Sequence, residues 1–266
     1  MSRILSALFL GAVLLFLALP LAVIAAVSVN EKKRLLFPPV GFSFAWYGDL
    51  VGRSEWLGPV TNSLLIAVLA AAVAVSVALP IAYVLWRHRL RYARALYAFG
   101  LIPFTLPPVI TALGFMIFWN AAGWSGSMTN VVLSHGIFLV TLPLVTISLG
   151  FEGLDRALTE AAATMGADDR TILRTVVLPL IVPYVLSGYA FAFVVSLNEY
   201  IVAFMVAGFT IETLPIKIFN SLRYGYTPVM AAVSVVFVLV AALVFGLIAR
   251  FGDLPRLLGA LGPRDR

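Results

Sequence analysis

Long apolar runs separated by short charged segments dominate the chain. The first run, 4–29, contains no charged residue, and neither does the much longer stretch 95–151. A membrane-spanning helix needs about 20 apolar residues, so the first run suffices for one span and the second for two, divided at the polar segment 120–130. The pattern predicts six spans, at about 4–29, 60–86, 95–119, 131–150, 180–207 and 226–250.

The composition agrees with a bilayer as the solvent. The chain is 62% hydrophobic and 11% charged, with a mean hydropathy of +1.05, whereas soluble domains are about 25% charged. The first run exceeds the roughly 7–15 apolar residues of a signal peptide, so we expect it to remain as a spanning helix. The absence of cysteine excludes disulfides, thiolate metal sites and cysteine nucleophiles.

The distribution of basic residues predicts the orientation. Cytoplasmic loops of membrane proteins carry an excess of Lys and Arg. With both termini in the cytoplasm, twelve of the eighteen basic residues lie on the inner side. The net charge of +6 is therefore attributed to this asymmetry and not to nucleic-acid binding, because no basic and aromatic surface stripe is present. The segment at about 151–179 is then a cytoplasmic loop.

This cytoplasmic loop contains two candidate short helices. We expect Thr159 to cap the first, with Glu160 in its first turn and alanines following, because these residue types suit a helix start. Gly166 permits a sharp left-handed turn. Asp168 or Asp169 lies near the start of the second helix, which Pro179 and Pro183 are expected to end or kink. An amphipathic connector lying on the membrane surface is the alternative interpretation.

The spacing within this loop carries a motif. Its seven positions over twenty residues are Glu160, Ala161, Ala162, Gly166, Val176, Leu178 and Pro179. This pattern resembles the EAA signature of ABC importer permeases, with Val176 at a position where the family often has Ile. Segments such as "IPFTLPPVITALG" and "SLNEYIVAFMVAG" resemble the spermidine/putrescine permease group, of the second-permease type, although permeases for iron(III) and phosphonates share much of them.

The resemblance implies a single all-α membrane domain over 1–266, with the type I ABC importer permease fold, in the bacterial inner membrane. It also implies a pair of permeases, here of two different chains, a cytoplasmic ATPase dimer that binds ATP, and an external solute-binding protein. The chain itself then needs no cofactor and is not an enzyme, and it contains no G-x-x-x-x-G-K-[ST] phosphate loop. The solute implied is a polyamine, with iron(III) or an aminophosphonate as alternatives. The residues implied to dock on the ATPase are Glu160, Ala161, Ala162, Gly166, Ala167, Leu178 and Pro179.

The fifth predicted span contains one acid. Charged residues inside a span normally face a bundle interior or a water-filled path, so Glu199 is a candidate contact for a cationic solute, with Ser196 and Asn198 near it. The competing interpretation is an ion pair or hydrogen bond at the interface between two permeases. His135 is interpreted as a packed or interfacial histidine and not as a proton relay.

Two segments remain with open roles. The prolines of "IPFTLPPVITALG" are expected to interrupt the third helix, chiefly for packing. The outer segment 208–226 is interpreted as a loop that meets the solute-binding protein or forms an outer gate. A secondary transporter is the alternative class, but it predicts inverted repeats and several charged sites within helices, neither of which the sequence shows. A membrane-embedded enzyme would need clustered histidines and acids, and the two histidines lie far apart in the sequence.

Overall fold

The computed structural model describes residues 3–52, 54–88, 90–224 and 227–251. These residues form thirteen α-helices and one π-helical turn, as expected for a chain whose backbone must satisfy its own hydrogen bonds in lipid. The helices are α1 (Arg3–Ser28), α2 (Ala45–Gly52), α3 (Ser54–His88), α4 (Arg91–Thr105), α5 (Pro108–Ala121), α6 (Met128–Phe138), α7 (Thr141–Glu152), α8 (Arg156–Thr164), α9 (Asp169–Ile172), α10 (Leu178–Asn198), α11 (Ile201–Ala207), α12 (Leu214–Tyr224) and α13 (Val229–Phe251).

Four helical stretches are each long and apolar enough to cross a membrane as a single span. They are Arg3–Ser28, Glu55–His88, Asp169–Asn198 and Val229–Leu247. Two bent pairs meet the same criteria together: α4 with α5, which meet at 107°, and α6 with α7, which meet at 43°. The described residues therefore offer four to six spans.

The third predicted helix is two helices at nearly a right angle. Leu106 lies between them in an extended conformation, with φ −82° and ψ 149°, as expected for a residue before proline. Pro107 then caps α5, and Pro108 is its first residue, where a missing N–H is tolerated. The predicted interruption of the third helix by its prolines is confirmed, with the break at Leu106 and Pro107, whereas Pro103 lies inside α4.

The centre of the bundle is built from α3, α6, α7 and α10, which pack against one another. Small residues make close packing possible, as is usual between helices in membranes. Ala67, Ala70, Ala71, Ala74 and Ala78 of α3 are completely buried. A Cβ at Gly136 would lie 2.5 Å from the Val73 side chain, and one at Gly188 would lie 2.6 Å from the Pro143 backbone. α6 therefore packs closely on α3 at Gly136, and α10 packs closely on α7 at Gly188.

α1 lies at the periphery. It packs against α13, and within α1 only Val27 and Ser28 are buried. Its other apolar side chains are largely exposed in the isolated chain, as suits a helix that faces lipid or another subunit.

The segment after α11 is helical, so the prediction of a loop over 208–226 is wrong for 214–224. α12 begins with the Leu214–Pro215 pair, and Leu214 is fully buried. The Leu214 backbone N–H donates to Ser63 Oγ at 2.8 Å, and Asn62 Nδ2 donates to the Glu212 carbonyl at 3.0 Å. Both bonds attach the start of α12 to α3.

Candidate functional site

The sequence-predicted docking residues lie on and around α8. The helix is capped by Asp155, whose carboxylate accepts the Ala157 backbone N–H at 2.9 Å. Thr159, the predicted cap, lies inside the helix, and its hydroxyl donates to the Arg156 carbonyl at 2.8 Å. Asp155 takes the capping position because it has the required extended backbone, with φ −69° and ψ 118°. Glu160 is therefore at mid-helix and exposed, not in the first turn.

The C-terminus of α8 ends in a Schellman motif. The Gly166 N–H donates to the Ala163 carbonyl at 3.0 Å, and the Ala167 N–H donates to the Ala162 carbonyl at 3.1 Å. Gly166 has φ +88°, the left-handed conformation that this motif requires at the residue after the cap. The prediction of a left-handed turn at Gly166 is confirmed, and the reason for a glycine is conformational, because a Cβ there would meet nothing within 4 Å.

The chain returns to the bundle through α9 and a π-helical turn. The Asp168 carboxylate accepts the Thr171 backbone N–H at 3.0 Å and caps α9. Hydrogen bonds from the Thr171 side chain and backbone lower the pKa of Asp168. The π-helical turn, Leu173–Val177, shifts the hydrogen-bond ladder just before Pro179, where an N–H is missing. The chain stays helical from Asp169 to Asn198, so neither Pro179 nor Pro183 ends the helix.

α8 itself contributes no buried residue. The loop is attached to the bundle by Ala162, Ala167 and Leu178, which pack at the edge of a core that includes Phe151 and Ile172. An ion pair of 2.7 Å joins Arg87 at the end of α3 to Asp169. These contacts leave Glu160, Ala161, Gly166 and Pro179 exposed. α8 is therefore a short helix with three consecutive alanines and no buried residue.

Glu199 lies at a break between α10 and α11, so the prediction of one helix over 180–207 is corrected. Its carboxylate accepts three backbone N–H groups, those of Ile201 at 2.9 Å, Val202 at 3.0 Å and Ala203 at 3.1 Å. These are the groups that the first turn of a helix leaves without partners. The Glu199 side chain thus caps the first turn of α11, while Tyr200 holds the N-cap position of the backbone, and it stabilises the break between α10 and α11.

A buried polar cluster surrounds this cap. His135 Nε2 lies 3.2 Å from Glu199 Oε2, and the Glu199 side chain is 7% exposed. The other ring nitrogen of His135, Nδ1, is hydrogen-bonded to Ser196 Oγ at 2.8 Å. The structure therefore brings Ser196 and Glu199 together through His135 on α6. The sequence gives one indication of this contact: His135 and Glu199 are each an ionisable residue in an otherwise apolar run.

Asn198 points elsewhere. It is exposed, and one N–H of its Nδ2 donates to the Val194 carbonyl at 2.9 Å, so this bond uses neither the acceptor Oδ1 nor the second amide N–H. Asn198 lines a cavity of about 500 Å³ between the helix break, α12 and α13, together with Tyr200, Phe219, Ser234 and Phe237. Of the three predicted path residues, this cavity contains only Asn198.

Two solved structures share the overall fold of this chain. The structure resembles that of a bacterial ABC transporter involved in the import of the acidic polysaccharide alginate, with a TM-score of 0.68 and 20% identity over 94% of this chain and 98% of the other. It also resembles the MetNI methionine ABC transporter in an inward-facing conformation, with a TM-score of 0.63 and 18% identity over 77% and 95% of the two chains. At sequence identities of 18–20%, the structural similarity establishes the fold and nothing further.

Residues 74–253 match the family described as binding-protein-dependent transport system inner membrane component, and the chain belongs to this family. It is 33% identical to the spermidine/putrescine transport system permease protein PotC of Haemophilus influenzae, over 89% of this chain and 92% of PotC. It is 32% identical to the putrescine transport system permease protein PotI of Escherichia coli K12, over 82% of this chain and 80% of PotI. The family resemblance predicted from the EAA motif is confirmed.

Proposed function

We propose that this chain is one of two transmembrane subunits of an ATP-driven importer that takes putrescine or spermidine from a periplasmic binding protein into the cytoplasm. Two relatives that match along most of their length are named as permeases for these polyamines. The observation that carries the mechanism is α8, an exposed helix that is capped at both ends by Asp155 and Gly166.

The proposed role of α8 is to dock on a cytoplasmic ATPase. Ala161 and Ala162 allow another backbone to approach closely, and exposed Glu160 can pair with a basic group on the partner. The loop returns through Ala167 to Leu178 and Pro179, so a displacement of α8 is transmitted to α10. Closure of an ATPase dimer on ATP would move the α8 helices of a permease pair and rock the bundles between inward- and outward-facing states. ATP binds to the ATPase, and this chain then supplies no catalytic group.

The proposed topology has six spans in a bacterial inner membrane, with each bent pair counted as one span and both termini in the cytoplasm. The absence of native cysteine makes a direct test simple. Single cysteines at Lys33 and Arg91 should react with a membrane-impermeant maleimide from opposite sides of the membrane. Labelling of both from the same side would refute this topology.

The proposed solute path includes the break between α10 and α11. Asn198 offers an acceptor to the adjoining cavity, and the aromatic faces of Tyr200 and Phe219 suit an alkylammonium group. Ser196 and Glu199 do not line this cavity. Their polar groups bind His135 and the α11 backbone, and so hold the break between α10 and α11 in place. Contact of Glu199 with the solute then requires a conformation in which this cap opens.

The test is uptake into proteoliposomes that contain this chain, its partner permease and the ATPase, with the binding protein outside. We expect ATP-dependent uptake of radiolabelled putrescine or spermidine and no uptake of iron(III) or an aminophosphonate. Uptake of one of the latter alone would replace the polyamine assignment. Uptake driven by a proton gradient without ATP would instead favour a secondary transporter.

A further inference from the structure

A second cavity lies at the opposite end of the bundle from α8, on the side proposed to be external. It has a volume of about 380 Å³, and it is lined by α2, α3, α12 and α13, by Lys33 of the segment 29–44 between α1 and α2, and by Thr227. Its charged and aromatic lining residues are Lys33, Trp46, Asp49, Glu55, Trp56 and Lys217. None of these residues belongs to the docking loop or to the path residues discussed above.

The walls of this cavity are fixed by packing. Trp56 is 4% exposed and shares a core with Leu50, Leu214, Val229 and Met230, which joins α2, α3, α12 and α13. Trp46 packs against the same core, and its Nε1 donates to the Asn30 carbonyl at 2.6 Å. Both tryptophan rings are therefore held in place, and their position needs no ligand.

An ammonium group already occupies part of the cavity. Lys217 Nζ lies 5.9 Å from the centre of the Trp56 ring, within the range of a cation–π contact, and 3.5 Å from Glu212 Oε2. Lys217 thus shows that a primary ammonium fits between the Trp56 ring and one carboxylate, that of Glu212, which lies beside the cavity. The buried hydroxyl of Thr227, which also lines the cavity, has no hydrogen-bond partner among the described residues.

We propose that this cavity is an external binding site for the ammonium group of an aliphatic amine, in which the solute replaces the Lys217 ammonium at Trp56. The inference rests on the proposed function for the direction of transport. Asp49 and Glu55 have interactions within the protein, and neither needs to be vacant, because the amine takes the place of the Lys217 ammonium. The two lysines and two carboxylates of the lining balance in charge, and exchange of one ammonium for another keeps that balance.

The lining favours an organic cation over a metal ion. Metal sites need several His, Cys, Asp or Glu ligands around one point, and no group of three such residues is placed to hold an ion within the described ranges. Tryptophan faces contribute nothing to metal coordination but stabilise alkylammonium groups. The site is therefore suited to receive an amine released from a binding protein, before the membrane path.

A single cysteine tests the site directly. Ser221→Cys places a thiol in the cavity lining of a chain with no other cysteine. Its labelling by a trimethylammonium methanethiosulfonate is measured in the assembled complex without the binding protein. We expect putrescine to slow labelling about threefold or more, and 1,4-butanediol, which has the same length without charge, to have no effect. Lys32→Cys, outside the cavity, should label equally with and without putrescine.

Charge variants give the site a second readout. In the Ser221→Cys background, Glu55→Gln and Asp49→Asn should each raise the putrescine concentration for half-protection about threefold, as for a partly exposed ion pair. Lys217→Met should lower it by a similar factor, because the competing ammonium is gone, and Lys32→Met should leave it unchanged.

Four outcomes would overturn the proposal. Putrescine could fail to protect the Ser221→Cys thiol from labelling, or butanediol could protect it equally. Protection could also persist when both carboxylates are neutral, or be seen only when the binding protein covers the cavity. ATP-driven uptake is measured in the same vesicles. Protection without uptake would refute the polyamine import function and keep the site, whereas uptake without protection would refute the site alone.

Discussion

Replacing Gly166 tests whether the conformation of the loop at about 151–179 is needed to couple ATP hydrolysis to solute transport. Gly166 has φ +88°, and a Cβ there would meet nothing within 4 Å. Gly166→Ala therefore introduces backbone strain without a steric clash. An L-residue in the left-handed region costs about 1–2 kcal/mol, which lowers the population of the observed turn about 5- to 30-fold relative to alternatives. Because α8 has no buried residue, this strain should distort the loop and leave the membrane bundle intact.

The measurement is the number of solute molecules transported per ATP hydrolysed in reconstituted vesicles. We expect Gly166→Ala to lower this ratio severalfold, Gly166→Val to lower it further, and Gly166→Asn to lie nearest the wild type, because Asn tolerates the left-handed region. Gly153→Ala is the matched control: it lies in the same loop with φ −78°, and its Cβ would make an ordinary 3.4 Å contact. Coupling in Gly166→Val equal to that of the control would refute the argument.

Three further predictions concern the bundle and the loop. Glu199→Gln should lower the free energy of unfolding by about 1–3 kcal/mol, since an amide cannot accept all three N–H groups; unchanged thermal unfolding would contradict the capping role. Gly136→Ala should destabilise by about 1–3 kcal/mol through overpacking against Val73, whereas Gly114→Ala, with open space, should not; equal melting of the two would refute the close packing. The pKa of Asp168 is lowered on folding, so its contribution to α9 is complete above the unfolded-state pKa and is lost as pH falls through the folded-state pKa. The hydrogen-exchange protection factor, which corrects for the intrinsic pH dependence of exchange, should fall at the start of α9 over that range, and in Asp168→Asn it should show no such fall.

Local patterns in the sequence predicted much of the docking loop. Gly166 was identifiable because a left-handed residue after a short helix demands glycine, and the motif spacing placed it. The cap was misassigned to Thr159 because Asp155 is an equally good capping residue, and the extended backbone of Asp155 decides between them. α12 was missed although Leu214, Ile218 and Leu222 recur every four residues, because the prolines and glycines around it suggested a loop.

Contacts distant in sequence could not be predicted. His135 and Glu199 are far apart along the chain, and one sequence holds no information on which helices become neighbours. The cap on α11 was hidden for a different reason: the fifth apolar run continues through Glu199, so hydrophobicity alone predicts an unbroken helix. The prolines near 107 predicted an interruption, but the 107° angle between α4 and α5 depends on what each helix packs against.

The helix α8 has a cap at each end and no buried residue, and of its side chains Ala162 alone packs at the edge of the Phe151 core. Its surface can therefore accumulate substitutions without loss of folding stability in the membrane. Given the docking role proposed for α8, a permease of this kind could adapt to a different ATPase subunit by changing a few exposed positions, while the bundle adapts separately to solute and lipid. Co-evolution between permease and ATPase should accordingly be concentrated in α8 and nearly absent from α3 and α10.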